Sequence, residues 1–374
     1  MPLCASVHPH TLQFNFEART SRGAMKERKC WFLKVWNSEA PDLFGLGECA
    51  PLAGLSKETL EEAERELTEW AERIKGVTLR VNTNDLAGVH VFLRMHQLVP
   101  VSSSVVFAVE VALLDLLMGG KRHIIETDFV RGSPIDINGL IWMGGLDYML
   151  QQIDIKIRDG FTCIKMKVGS HNFEKECDIL QYIRRKYFKQ QIVIRLDANG
   201  AFKEDALDKL RALARFDVHS IEQPVKVGSD KMELLCRESP VAIALDEELI
   251  GVPPEQREPL LNKLKPRYII LKPSLMGGLQ ASAEWIAVAE KLGIGWWITS
   301  ALESNIGLNA IAQFTSQYPI TIPQGLGTGS LYVNNIESPL QVAAGKLTYN
   351  PQKMWDLRQL FPTTPEEEPM FLAE

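Results

Sequence analysis

Residues 162–169, TCIKMKVG, form a short apolar run carrying two lysines, Lys165 and Lys167, at alternating positions. The pattern recurs along the chain with other charges at its end. VIRLDANG (193–200) reaches Asp197, SIEQPV (220–225) Glu222, AIALDEE (242–248) Asp246 and YIILKPS (268–274) Lys272. From Lys167 onward these charges stand 30, 25, 24 and 26 residues apart. A strand, a helix and two loops occupy about that length, and eight such units close a barrel of roughly 250 residues. IDINGLIW (135–142) precedes the series, and GWWITSALES (295–304) and ITIPQGLGTG (320–329) follow it, which makes eight strands. Amphipathic stretches such as EKECDILQYIRRKY (174–187), KEDALDKLRALARF (203–216) and SAEWIAVAEKLG (282–293) lie between them. An open doubly wound sheet usually carries a GxGxxG or GxxxxGK[ST] turn after a strand, and this chain has neither.

Upstream the period changes. TLQFNFEA (11–18) and KCWFLKVWN (29–37) alternate like antiparallel strands around the Ser21-Arg22-Gly23 turn. GLGECAPLAG (45–54) reads as a Gly/Pro-rich loop. SKETLEEAERELTEWAERIKG (56–76) reads as a helix, with a Ser-x-x-Thr start, an acidic first turn and a glycine stop. SSSVVFAVEVALLDLLMG (102–119) is apolar on most sides, as a buried helix is. No long helix follows Leu326, so the chain leaves the barrel there, and the tail TTPEEEP is polar. The expectation is an α/β protein: a modified TIM barrel, (β/α)7β, over 131–334. An α+β capping domain over 1–130, completed by 335–374, is expected beside it.

The 374 residues carry 41 Lys+Arg against 47 Asp+Glu, a net charge of −6, which argues against nucleic acid or an anionic membrane as partner. No apolar run reaches the length of a membrane span. Six cysteines without a CxxC pair, and an N-terminus without a basic and apolar leader, suggest reduced thiols in the cytoplasm. The seven histidines do not cluster, and no GxSxG elbow is present. Oligomeric state is left open.

Asp197, Glu222 and Asp246 come from consecutive strands, so their carboxylates can converge at the barrel mouth, where barrel enzymes gather their chemistry. Three hard oxygen donors without histidine or cysteine favour Mg²⁺ over zinc, with Mn²⁺ as a possible substitute. Lys165 and Lys167 share one strand face, and crowding of two ammonium groups is expected to lower a lysine pKa towards that of a general base. Lys272 stands at the sixth strand end, either flanking the substrate or pairing with Asp246 or Glu247. Asn199 and Glu247 are weaker candidates, each for support behind the site residues or for the turn, with Asn199 also placed on the substrate side. A Schiff-base lyase using Lys167 or Lys272 as nucleophile needs no metal, so it leaves the three acids without a purpose. A silent barrel kept for binding has no reason to retain six charged strand ends.

These residues, in this order and with Gly45, Gly47 and Glu48 (GxGE) before them, resemble the enolase superfamily in its muconate-lactonizing subgroup, over almost the whole chain. The resemblance implies that Asp197, Glu222 and Asp246 bind Mg²⁺ and that Lys167 is the acid/base. It implies that Lys165 tunes Lys167 and that Lys272 stands on the opposite face. ITSALESNIGLNA looks like the SxxESxxG segment of o-succinylbenzoate synthases, and GECAPLAGLS like their capping loop. Dipeptide epimerases carry an acidic DxD near the eighth strand, where this chain has Gly325-Leu326-Gly327-Thr328. Ala301 stands where many relatives have a second serine.

The resemblance implies dehydration of a small carboxylate with a succinyl arm to o-succinylbenzoate, through an enediolate, in menaquinone synthesis. Ser300 and Gly325 are candidates for holding the succinyl end. Two capping loops, at 21–23 and 50–56, are candidates for closing over the substrate. The alternative within the same chemistry is an N-succinylamino acid racemase, or another acid-sugar or dipeptide-type member of the subgroup.

Overall fold

The structure, a computed structural model, describes residues 2–20, 23–81, 85–169, 172–188 and 191–362. Ser21-Arg22 of the first capping loop and the TTPEEEP tail lie outside the described residues.

Three antiparallel strands, β1 (Leu3–Thr20), β2 (Gly23–Asn37) and β3 (Ala40–Cys49), make one sheet. Strand alternation sends Trp31, Leu33 and Val35 to one face and Cys30 and Phe32 to the other. The first face is covered by α1 (Leu60–Arg73), α2 (Leu86–Met95) and α3 (Ser103–Leu117). On the second, Leu331, Ile336 and Leu360 from the C-terminal part pack with Leu12, Phe14 and Phe32. The helix foreseen over 56–76 begins at Leu60, where Thr59 and Glu62 bond to each other's backbone amides.

One expectation is corrected here. Gly45 to Cys49, read as loop, continue β3. The strand crosses α3 so closely that a Cβ at Gly45 would stand 1.8 Å from Ala112 O, and one at Gly47 1.9 Å from Ala108 O. These glycines serve a backbone contact between sheet and helix, not a turn.

The barrel follows. After β4 (Ile135–Asp136), strands β5 (Gly139–Ile141), β6 (Cys163–Lys167), β7 (Val193–Asp197) and β8 (Ser220–Glu222) pair in sequence order. β9 (Ile243–Leu245), β10 (Tyr268–Leu271) and β11 (Gly295–Ile298) continue the parallel sheet. Alternating with them are α4 (Leu146–Arg158), α5 (Phe173–Lys186), α6 (Ala206–Ala214), α7 (Lys231–Glu238) and α8 (Pro254–Leu264). The short α9 (Pro273–Met276), α10 (Gly278–Lys291) and α11 (Asn305–Ser316) complete the layer. Buried on both faces, these strands read as apolar runs rather than alternating ones.

Two barrel strands differ from expectation. The stretch 320–329 closes the ring only through Gln324 and Gly325: Gly325 N donates to Ile298 O at 2.8 Å and Asn138 N to Gln324 O at 2.9 Å. The first strand, expected over 135–142, divides. Ile135–Asp136 pair with β13 (Lys346–Tyr349) of a hairpin whose other arm is β12 (Leu340–Ala343), Ile137 bridges to Gln324, and Gly139–Ile141 pair with β6.

Two buried glutamates join the α+β part to barrel helices. Glu110 on α3 accepts from Gln280 N at 3.2 Å and from Leu279 N, at the start of α10. Glu48 on β3 does the same at the start of α11, accepting from Gly307 N at 2.9 Å. Carboxylates suit the positive end of a helix. Among the described residues no helix is long and apolar enough to cross a membrane.

Candidate active site

Parallel register sets Lys167 beside Asp197, and Asp197 beside Glu222. Asp246 directly follows β9 and Lys272 directly follows β10. All therefore emerge at the carboxyl ends of neighbouring strands. Lys167 Nζ donates to Asp197 Oδ2 at 2.9 Å and to Asn199 Oδ1 at 2.6 Å. Lys165 Nζ bridges Asp197 Oδ2 at 3.1 Å and Glu222 Oε2 at 2.6 Å. Lys272 pairs with Asp246 and stands 3.9 Å from Glu222 Oε1. The six charges meet in one cluster.

The cluster lies at a cavity of about 780 Å³. Lys165, Lys167, Lys272, Asp197 and Asn199 line it, and so do Ser300 and Gly325. Glu222 and Asp246 are buried just behind that surface. Phe16, Met25, Leu52 and Trp142 give the cavity apolar walls. From the proposed capping loops, Gly23, Leu52, Ala53 and Leu55 reach the wall.

Electrostatics overturn the expected effect of crowding on Lys165. Burial works to lower its pKa, but Asp197, Glu222 and Asp246 outweigh burial and raise it well above the ordinary lysine value. Lys272 is raised as well: burial opposes the rise, and Asp246 and Glu222 overcome it. The neighbouring lysine counts for less than three carboxylates at contact distance. Burial tends to raise Asp197, yet Lys165, Lys167 and Lys272 hold it far below the usual carboxylate range. Asp246 is likewise lowered, with Lys272 prevailing over burial. Glu222 goes the other way, pushed up by burial and by Asp197.

Among the described residues, no three His, Cys, Asp or Glu side chains close into a ready metal-ligand set, and the ammonium groups of Lys165 and Lys272 lie against the three acids instead. The donor chemistry nonetheless fits a hard divalent cation. Three carboxylates converge there, and Glu222 Oε1 is buried without a hydrogen-bond partner.

Sequence reasoning missed most of the residues that hold this cluster in place, and offered Glu247 only as a support or turn residue. Gln223 has φ 40° and turns its side chain back on the next strand end, where its Oε1 accepts from Asp246 N at 3.3 Å and Glu248 N at 3.2 Å. Glu247 accepts from Asn199 Nδ2 at 3.0 Å, which fixes the asparagine beside Lys167. Glu303 accepts from Ala301 N at 2.7 Å and from Ser274 Oγ at 2.5 Å, tying the loop after β11 to the one after β10. Ser300 Oγ meets Thr328 Oγ1 at 2.6 Å. The SIEQP and DEE strings were visible signals for Gln223 and Glu247, since a polar residue flanking a strand-end acid is placed to orient it. Nothing local pointed to Thr328.

Two family models match the chain: "MenC, N-terminal domain" over residues 7–116 and "Enolase C-terminal domain-like" over 149–353. An o-succinylbenzoate synthase of Desulfotalea psychrophila is 43% identical over 356 residues, covering 90% of this chain and 96% of that one. One from Pasteurella multocida is 28% identical, over 81% and 82% of the two chains. The crystal structure of MenC from Desulfotalea psychrophila superposes with a TM-score of 0.83 at 40% identity, covering 93% of this chain and all (100%) of that chain. The muconate lactonizing enzyme of Pseudomonas putida shares the fold at TM-score 0.75 and 19% identity, over 95% and 97% of the two chains. The chain belongs to the o-succinylbenzoate synthase family, dehydratases of the enolase superfamily.

Proposed function

We propose that this protein is a Mg²⁺-dependent o-succinylbenzoate synthase. It dehydrates 2-succinyl-6-hydroxy-2,4-cyclohexadiene-1-carboxylate to o-succinylbenzoate, a step of menaquinone biosynthesis. The observation that carries this reading is Lys167 Nζ, 2.9 Å from Asp197 Oδ2, on the wall of a cavity of about 780 Å³. That space accommodates a six-membered ring and its arm.

In its neutral form Lys167 takes the proton from the ring carbon that bears the carboxylate, leaving an enediolate. The resulting ammonium returns the proton to the β-hydroxyl on the same face. The C–O bond breaks, water leaves, and the electron pair forms the double bond that completes the aromatic ring. Asn199 and Asp197 orient the Lys167 amine, and Lys272 stabilises negative charge without moving a proton. A divalent cation held by Asp197, Glu222 and Asp246 supplies, when bound, electrostatic stabilisation of the substrate carboxylate. The apolar walls limit the access of bulk water. The six cysteines form no disulfide, which suits a reducing cytoplasm.

The test is a steady-state assay for o-succinylbenzoate with Mg²⁺ present and then chelated. Metal-dependent turnover supports the dehydratase. Full turnover after chelation, or in Lys167→Ala, defeats it. A second reading, N-succinylamino acid racemase, is favoured by one observation: Lys272 lines the same cavity as Lys167, so two lysines border the space a substrate would fill. Exchange of the α-proton of an N-succinylamino acid in D₂O measures it.

A further inference from the structure

We propose that Lys156 is the specificity residue that receives the substrate's second carboxylate, at the end of the succinyl arm. This rests on the dehydratase reading, which gives the substrate two carboxylates, only one of them at the reacting carbon. The other needs a cation that the reacting end does not use.

Four lysines line the cavity: Lys156, Lys165, Lys167 and Lys272. Three of them are taken by carboxylates, Lys165 by Asp197 and Glu222, Lys167 by Asp197 and Lys272 by Asp246. Lys156 makes no ion pair among the described residues. Asp159, the acid that acts on it through space, lies 3.7 Å from Arg158 instead. A cation in a cavity wall without a bound counter-ion is a place for an anionic ligand group.

Its direction is fixed by packing. The stem lies against the bare backbone of Gly139, where an added Cβ would stand 3.2 Å from Lys156 Cγ and Cδ. The ammonium stands 4.8 Å from the centre of the Phe161 ring. Lys156, Phe161 and Ser330 also border an adjoining cavity of about 550 Å³. Lys156 thus borders both spaces, and Ser330 borders them with it. Burial holds the Lys156 pKa below the ordinary lysine value, and an arriving carboxylate would raise it again. Substrates lacking the second negative charge would lose this contact, so the site selects dianions.

The experiment uses the full-length, Mg²⁺-loaded protein as wild type, Lys156→Met and Lys156→Arg. It combines steady-state kinetics on the diene with calorimetric binding of o-succinylbenzoate and of its analogue with a primary amide in place of the succinyl carboxylate. Wild type is expected to prefer the dianion. A charge-assisted hydrogen bond corresponds to about ten- to a hundredfold in binding. Lys156→Met should therefore raise KM and Kd for the dianion by about that factor, change kcat much less, and erase the preference over the amide. Lys156→Arg should restore most of it. Turnover with a Met variant that keeps wild-type KM and preference would overturn this proposal alone. Wild-type protein that does not turn over the diene would overturn the dehydratase reading and this proposal with it.

Discussion

Glu48 accepts two hydrogen bonds from Ser304, from its backbone N to Oε1 at 2.8 Å and from its Oγ to Oε2 at 2.5 Å, across 256 residues of sequence. Both residues are fully buried. Burial raises the Glu48 pKa, and the Ser304 bonds work against that rise. Through this pair the sheet that bears the capping loops is locked to the barrel helix that follows Ser300. Glu48→Ala leaves the Ser304 and Gly307 donors unsatisfied in the interior. A loss of about 3 kcal/mol is expected, since each buried orphan costs about 1–3 kcal/mol. Urea titration measures it. A loss under about 1 kcal/mol would mean that water takes the carboxylate's place.

Metal binding should be visible without turnover. A ligand present at about a hundred times its Kd stabilises the folded state by about 2.7 kcal/mol. Adding Mg²⁺ to chelator-stripped protein should raise the thermal midpoint, and Glu222→Gln or Asp197→Asn should remove most of that rise. Equal shifts in wild type and both variants would place the cation elsewhere.

Lys167 and Lys165 should separate in their effects. Lys167→Ala is expected to lower kcat by about 10²–10⁴, the range for loss of a general acid or base, while the Mg²⁺-induced thermal shift survives. Lys165→Met removes the ammonium that bridges Asp197 and Glu222. Without it two buried carboxylates repel each other, so the metal-free protein should lose stability and Mg²⁺ should recover more of it than in wild type. Calorimetric scans with and without Mg²⁺ decide this. An unchanged metal-free midpoint would remove Lys165 from the charge balance.

The strand-end charges were legible because each closes an apolar run, and a parallel barrel delivers such ends to one rim. Asn199, Ser300 and Gly325 reach the same cavity for that reason. What stayed hidden depends on distant partners. Gly45 and Gly47 look like turn residues until α3, more than sixty residues on, lies across them. Ile135–Asp136 look like barrel strand until residues 346 and 347 take them as partners. The Lys165 charge balance could not be read from its own strand, because the deciding carboxylates follow on three others. Lys156 belongs to a helix surface in sequence, and its place against the bare backbone of Gly139 appears only in the fold.

His219 provides a pH test away from the reacting groups. Its ring stacks on Tyr268 at 5.0 Å and bonds to Ser220 Oγ at 3.0 Å. Burial first, and then the Arg195 charge, lower its pKa to about 4 from the model-peptide 6.5. The folded protein therefore keeps His219 neutral while the unfolded chain takes up a proton below about pH 6.5. The unfolded state binds more protons between those two values, so stability falls as pH drops from about 6.5 to about 4. With partial exposure screening the effect, the contribution is about 2 kcal/mol at most. Urea titrations of wild type and His219→Gln at pH 7.5, 5.5 and 4.5 measure it. The variant's stability should decline less over this range, because its residue 219 has no proton to gain. Parallel declines in the two proteins would show that His219 titrates alike in both states, and that other groups set the acid limit.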